Sequence, residues 1–257
     1  MNIIERIKMD YFTRDRLGAY KDLLKYAIDN GYKLMTLRDF WFDRQNHKND
    51  KVIMLRHDID TALPRARDIY LIEKELGAIG SYYFRLKMLD VPLMQEIEKN
   101  GGEASYHFEE IATYIKLNKI KNANTIYNEI EKIQKNFVDN YKYVKKITGL
   151  PLLTVASHGD FVNQRLGISN NVLMTDKIRR ECGILVEAYD HELKNQFLYI
   201  SDVATSKIWD PQILLSAVKR EVPRIYFLTH PRQWGSSWWH NTKANFIRIN
   251  EDIRYRF

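Results

Sequence analysis

The sequence predicts an α/β fold, a distorted barrel of mainly parallel strands. Two observations lead there. Apolar, strand-like runs alternate with amphipathic segments through short connections, and that β-α-β-α order implies a parallel sheet with right-handed crossovers. Ionisable residues also stand at the ends of successive apolar runs, which suggests closure into a barrel with those ends gathered at one rim.

The elements follow in order. Residues 14–30 read as an amphipathic helix with Leu17, Tyr20, Leu24 and Ala27 on one face, ended by Asn30-Gly31. Residues 33–43 carry Leu34, Met35, Leu37 and Phe40, and 46–51 form a polar loop. A strand is expected over 52–56, then a helix over 63–76 with Thr61 as cap, Pro64 in its first turn and Gly77 at its end. A strand over 80–86 leads to a helix over 91–99, broken by Gly101-Gly102, and a short strand over 103–106 delivers His107. One long helical zone, 121–147, shows Ile126, Ile130, Ile133 and Phe137 near a period of 3.6. The strand 152–156 ends at Ser157-His158-Gly159-Asp160, and 161–182 is irregular or helical. Apolar runs at 184–188 and 197–201, a helix over 211–220 and a strand over 224–229 ending in His230-Pro231 complete the order.

Composition narrows the function classes. A chain of 257 residues with 45% hydrophobic content fills one large α/β domain, and no repeat or linker divides it. The net charge of +7 suits an anionic ligand or simply solvated helix faces, and no basic-aromatic module points to nucleic acid. The lone cysteine, Cys182, fits a reducing compartment and a core position. Met1–Arg6 has no apolar signal-like region and no stretch is long enough to span a membrane, so a cytoplasmic location is expected.

The chemistry concentrates at four strand ends: His57, Asp58 and Asp60, then His107, His158 and His230. Imidazoles and carboxylates without thiolate suit Zn²⁺ or another first-row divalent ion, which polarises a carbonyl or acidifies a water. Blander readings exist for each residue: dipole-stabilised acids at a helix start for Asp58 and Asp60, core or turn positions for the histidines, surface positions for Glu109 and Glu110. Trp234, Trp238 and Trp239 either pack or form a sugar platform. Joint occurrence at successive strand ends favours a metal site.

These residues resemble motifs of the polysaccharide deacetylases, the carbohydrate esterase family 4 superfamily. Arg56-His57-Asp58-Ile59-Asp60 looks like an Arg-His-Asp-x-Asp variant of the first motif, and Gly101 to His107 resembles the second. Asp202 with Trp209 resembles a later Asp-Trp motif, and Phe227-Leu228-Thr229-His230-Pro231, continuing to Trp234, resembles the last. The similarity covers about residues 50–235, leaving 1–45 as an N-terminal helical extension of a single domain spanning 1–257.

The resemblance implies a distorted barrel of about seven strands and metal-dependent removal of an acetyl group from an N-acetylated sugar, with zinc the first choice of metal. Carried over, Asp58 is the general base and His230 the general acid. Asp60 and His107 are metal ligands, and Asp58 and Asp60 could exchange roles. Arg56, His57, Glu109, Asp202, Trp209 and Trp234 support the site or the substrate. Two departures stand out. Ile111 occupies the place of the family's second metal histidine, for which His158 is the replacement and Glu109 the reserve, and Gly102 replaces a frequent histidine. The implied setting is bacterial surface polysaccharide biosynthesis on a nucleotide- or lipid-linked sugar. The rivals are another metal-assisted hydrolase, such as a deformylase or amidohydrolase, and a catalytically inactive glycan-binding barrel.

Overall fold

A computed structural model of the chain describes residues 7, 11–12, 15–47, 49–202, 210–235 and 238–254. Its strands are β1 (Lys33–Met35), β2 (Val52–Ile59), β3 (Ser81–Phe84), β4 (Glu103–Phe108), β5 (Thr154–Ser157), β6 (Val186–Glu187), β7 (Leu198–Ser201) and β8 (Arg224–Thr229). Seven of them run in the order β6-β5-β4-β3-β2-β8-β7, and β1 pairs with the first half of β2. Every pairing is parallel. This is the expected seven-strand parallel barrel, with the short β1 as an addition. The sheet curls: Tyr226 on β8 donates at 3.0 Å to the Ala188 carbonyl just past β6, five places away in the strand order. Among the described residues β6 and β7, the two ends of the path, do not pair.

Strand side chains alternate faces with a period of two, and both faces of this sheet are buried. Val52, Met54, Tyr83, Ala156, Val186 and Tyr226 pack together inside the curl. Ile53, Leu55, Ile59, Phe84, Tyr106, Val155 and Phe227 pack outward against the helices. All eight positions of β2 are buried, which accounts for its near-continuous apolar start. Each large apolar side chain so buried contributes about 1.5–3 kcal/mol.

The helix expected over 14–30 spans Leu17–Asp29, and two further expectations are corrected. The helix Leu63–Leu76 keeps Pro64 in its first turn and ends at Gly77 in the left-handed region, but its N-cap is Ala62 at φ 58°, without a side-chain cap, and not Thr61. The long zone is two helices, Ala123–Asn128 and Ile130–Thr148, parted at Glu129. Apolar residues keep their spacing across that break, so periodicity alone does not reveal it. Cys182 is buried at the end of the helix Asp176–Cys182, and burial pushes its thiol up to about 11, consistent with a core residue. Among the described residues no helix is long and apolar enough to cross a membrane.

Candidate active site

The alternation along β2 divides the tetrad. Asp58 and Asp60 share the interior face with Met54, while His57 and Ile59 face the helices. His57 is fully buried with its Nε2 at 2.6 Å from Glu73 Oε1. The same carboxylate accepts hydrogen bonds from Tyr20 and Tyr82. His57 therefore lies behind β2, tying it to the helix Leu63–Leu76, and it does not join the residues it was grouped with as a support of the site. A period of two, applied to the tetrad, carries that information in the sequence.

Asp60, His107 and His158 converge at the interior rim, each offering a ligand atom within 4.8 Å of the others. Asp60 Oδ1 lies 3.3 Å from His107 Nε2 and 3.1 Å from His158 Nδ1. His107 Nδ1 sits 2.9 Å from the Ala156 carbonyl, an acceptor that fixes the proton on Nδ1 and leaves the Nε2 lone pair facing Asp60. Asp60 Oδ1 and His107 Nε2 are both buried without a hydrogen-bond partner. Orphaned buried polar atoms are costly. One carboxylate oxygen and two imidazole nitrogens aimed at one point match the donor set of a divalent ion such as zinc. Burial works against ionisation of Asp60, but His158 and His107 hold its carboxyl well below the usual range.

Asp58 lies beside this group, with its Oδ2 3.4 Å from His107 Nε2. Arg56 grips it twice, Nε to Oδ1 and Nη2 to Oδ2, each at 2.8 Å. Arg56 points the same way as Asp58 because it sits two residues earlier on the strand. Its guanidinium lies over Tyr189 at 4.4 Å and Tyr83 at 5.5 Å. Burial disfavours the charged form of Asp58, yet Arg56, His107 and His230 outweigh it and lower the pKa. Asp58 is thus held ionised in a dry setting, as a general base requires.

His230 closes the rim from β8. Asp202, past the end of β7, accepts from the His230 backbone N–H and lies 2.7 Å from its Nδ1. Trp234 donates to Thr229 Oγ1, and Thr229 donates to Asp202 at 2.8 Å, which fixes the carboxylate. His230 Nε2 faces inward, 3.7 Å from Asp60 Oδ2. Burial opposes charge on this ring, but Asp202, then Asp60 and Asp58, push it up to about 10. The ring is therefore protonated at neutral pH, with Nε2–H free to donate. Asp202→Asn is expected to bring its titration down towards or below the ordinary value near 6.5, read by NMR of the imidazole. Because the acid form is lost above its pKa, the alkaline fall of any His230-dependent activity should move to lower pH with it. An unchanged titration contradicts the assignment.

The remaining candidates separate. Glu109, the reserve ligand, is held by a two-pronged ion pair with Arg85. Its carboxylate also lies within 4.8 Å of ligand atoms of His158 and Asp160, but Lys116 already pairs with Asp160 at 2.6 Å. Ile111 is fully buried in the outer core, so that position does not face the rim. A Cβ on Gly102 would lie 2.8 Å from Ile97 Cγ2, which leaves no space for a histidine there. Trp234 is fully buried against Tyr20, at 4.8 Å between ring centres, and acts through Thr229 without reaching a ligand. Trp238 and Trp239 are exposed. Trp209 falls outside the described residues. Sequence reasoning missed Tyr189 and Arg85, which brace Arg56 and Glu109. Each follows an apolar run directly, the one signal that marked the other rim residues.

No family model and no curated protein matches the chain. Among solved structures it is similar to a CE4 family pseudoenzyme from Bacillus anthracis, 12% identical over 80% of this chain and 62% of that one, with a TM-score of 0.41. A family 4 carbohydrate esterase from Bacillus anthracis is 14% identical over 92% of this chain and 86% of its own, at a TM-score of 0.38. The peptidoglycan deacetylase PdaC from Bacillus subtilis is 16% identical over 81% and 98%, also at 0.38. The chain spans 62–64% of the length of the pseudoenzyme structures. At these TM-scores the likeness assigns no residue and no reaction, which rest on the rim geometry alone.

Proposed function

We propose that the chain is a metal-dependent deacetylase that hydrolyses the N-acetyl group of a sugar. The observation that carries this reading is the meeting, on one interior rim, of a carboxylate paired with Arg56 (Asp58), an imidazole paired with Asp202 (His230) and three converging metal-type donors (Asp60, His107 and His158). Amide hydrolysis needs a base for water, stabilisation of an oxyanion and an acid for a poor amine leaving group.

Asp58, kept ionised by Arg56, takes the proton of the attacking water. His230, charged and aimed inward by Asp202, donates from Nε2 to the departing nitrogen. Asp60, His107 and His158 would hold a divalent ion, zinc first, which supplies Lewis acidity at the carbonyl oxygen and makes water more acidic. The substrate class is an N-acetylated sugar, nucleotide- or lipid-linked, and the setting is the making of a bacterial surface polysaccharide in the cytoplasm. The chain's net charge of +7 agrees with a phosphate-bearing carrier.

Incubation with a panel of free, nucleotide-linked and lipid-linked N-acetyl sugars should release acetate stoichiometric with a new primary amine. Formate release, or ring opening of a cyclic amide without acetate, would instead point to the deformylase or amidohydrolase chemistry the same rim can support.

A further inference from the structure

A cavity of about 210 Å³ lies behind the rim, among residues of β4 and of the helices Glu110–Asn118 and Ile130–Thr148. Glu109, Glu110, Asn136, Asp139 and Asn140 supply most of its polar lining. No lysine or arginine is among the described lining residues, on a chain whose net charge is +7. Arg85 answers Glu109. Among the described residues neither Glu110 nor Asp139 has a salt-bridge partner, so the cavity keeps a local excess of acid.

Glu110 is its unusual member. It is only 5% exposed, and its Oε1 accepts from Tyr106 and, at 3.0 Å, from Asn140. Oε2 is buried with no hydrogen-bond partner. Tyr106 and Asn140, which hold the carboxyl, also line the cavity. A buried acceptor in that state calls for a donor from outside the chain. The cavity adjoins the candidate active site through Glu109, which lines it and whose carboxylate lies within 4.8 Å of the His158 ligand nitrogen.

We propose that this cavity is a subsite for the ammonium group of an amino sugar. An ammonium brings a positive charge and three N–H donors to the unpaired Glu110 oxygen and to Asp139. The amides of Asn136 and Asn140 suit the hydroxyls of the ring. A neutral N-acetyl unit offers nothing to offset the acids, so the cavity selects the free amine. The origin of that amine rests on the deacetylase reading: it is a sugar unit next to the reacting one that has already lost its acetyl group, or the product itself.

The test is NMR titration of the full chain with D-glucosamine, N-acetyl-D-glucosamine and D-glucose, following the side-chain amide signals of Asn136 and Asn140. Glucosamine should shift both signals, and the two neutral sugars should leave them in place. Glu110→Gln should weaken the effect at least about tenfold, the size expected for one charge-assisted hydrogen bond. Asp139→Asn, at an exposed position, should weaken it about threefold and keeps the test open if Glu110→Gln does not fold. Asp60→Ala should leave it unchanged, which separates the cavity from the rim. Equal shifts with N-acetylglucosamine, shifts with Mg²⁺ but not with glucosamine, or full affinity in both variants overturns the proposal. Acetate release that persists without glucosamine binding removes the subsite and leaves the deacetylase reading. Glucosamine binding without acetate release does the reverse.

Discussion

Asp58→Asn is expected to lower kcat by at least about 10²-fold, the lower range for loss of a positioned general base. The metal content should stay as in the unaltered protein, because Asp60, His107 and His158 supply the converging donors. The amide keeps the size of the carboxylate and can accept one bond from Arg56, but it cannot take a proton. Asp58 lies only 3.4 Å from His107 Nε2, close enough to act on a water held at the same point. Measuring kcat and bound metal on one preparation decides the matter. Near-normal turnover removes Asp58 from the role of base, and loss of metal makes it a ligand, the exchange of roles with Asp60 that the sequence left open.

Arg56→Met should produce the largest loss of stability, about 3–5 kcal/mol, because removing one member of a buried ion pair strands the other. Arg56 is fully buried and Asp58 nearly so, and the two make paired contacts of 2.8 Å. Burial opposes the guanidinium charge, and the Asp58 carboxylate beside it restores it. Methionine fills much of the volume and answers none of the charge. The stranded Asp58 would then titrate upward, so the folded variant should lose activity on the acid side at higher pH than the unaltered protein. Denaturant unfolding measures the first effect and a pH–rate profile the second. A loss below about 1 kcal/mol, the range of exposed pairs, contradicts the account of Arg56 as the partner that keeps Asp58 charged.

The architecture was readable because it depends on pattern. Alternating strand-like and helical periods imposed the parallel sheet, and apolar runs ending in His107, His158 and His230 marked the rim. His158 stands in the sequence as the replacement for Ile111, and its Nδ1 lies 3.1 Å from Asp60 Oδ1. What stayed hidden depends on tertiary contacts. His57 reads like its neighbours until the facing of β2 is known, and its partner Glu73 comes from a separate helix. Glu109 reads as a free acid in the sequence, and its partner Arg85 comes from the end of a different strand. The break at Glu129 leaves no trace in apolar spacing. The sequence suggests a surface acid at Glu110, whereas it is buried, and burial pushes its pKa upward. The packing of the helices Glu110–Asn118 and Ile130–Thr148 covers it, and sequence distance does not encode that contact.

Metal analysis of protein purified without chelator decides whether Asp60, His107 and His158 hold an ion. One equivalent of a divalent ion, lost in Asp60→Ala and in His107→Ala and strongly reduced in His158→Ala, is the predicted result, since Asp60 Oδ1 and His107 Nε2 are buried with no hydrogen-bond partner among the described residues. Stoichiometric metal retained in all three variants, or no ion and no affinity for added Zn²⁺ in the unaltered protein, contradicts it.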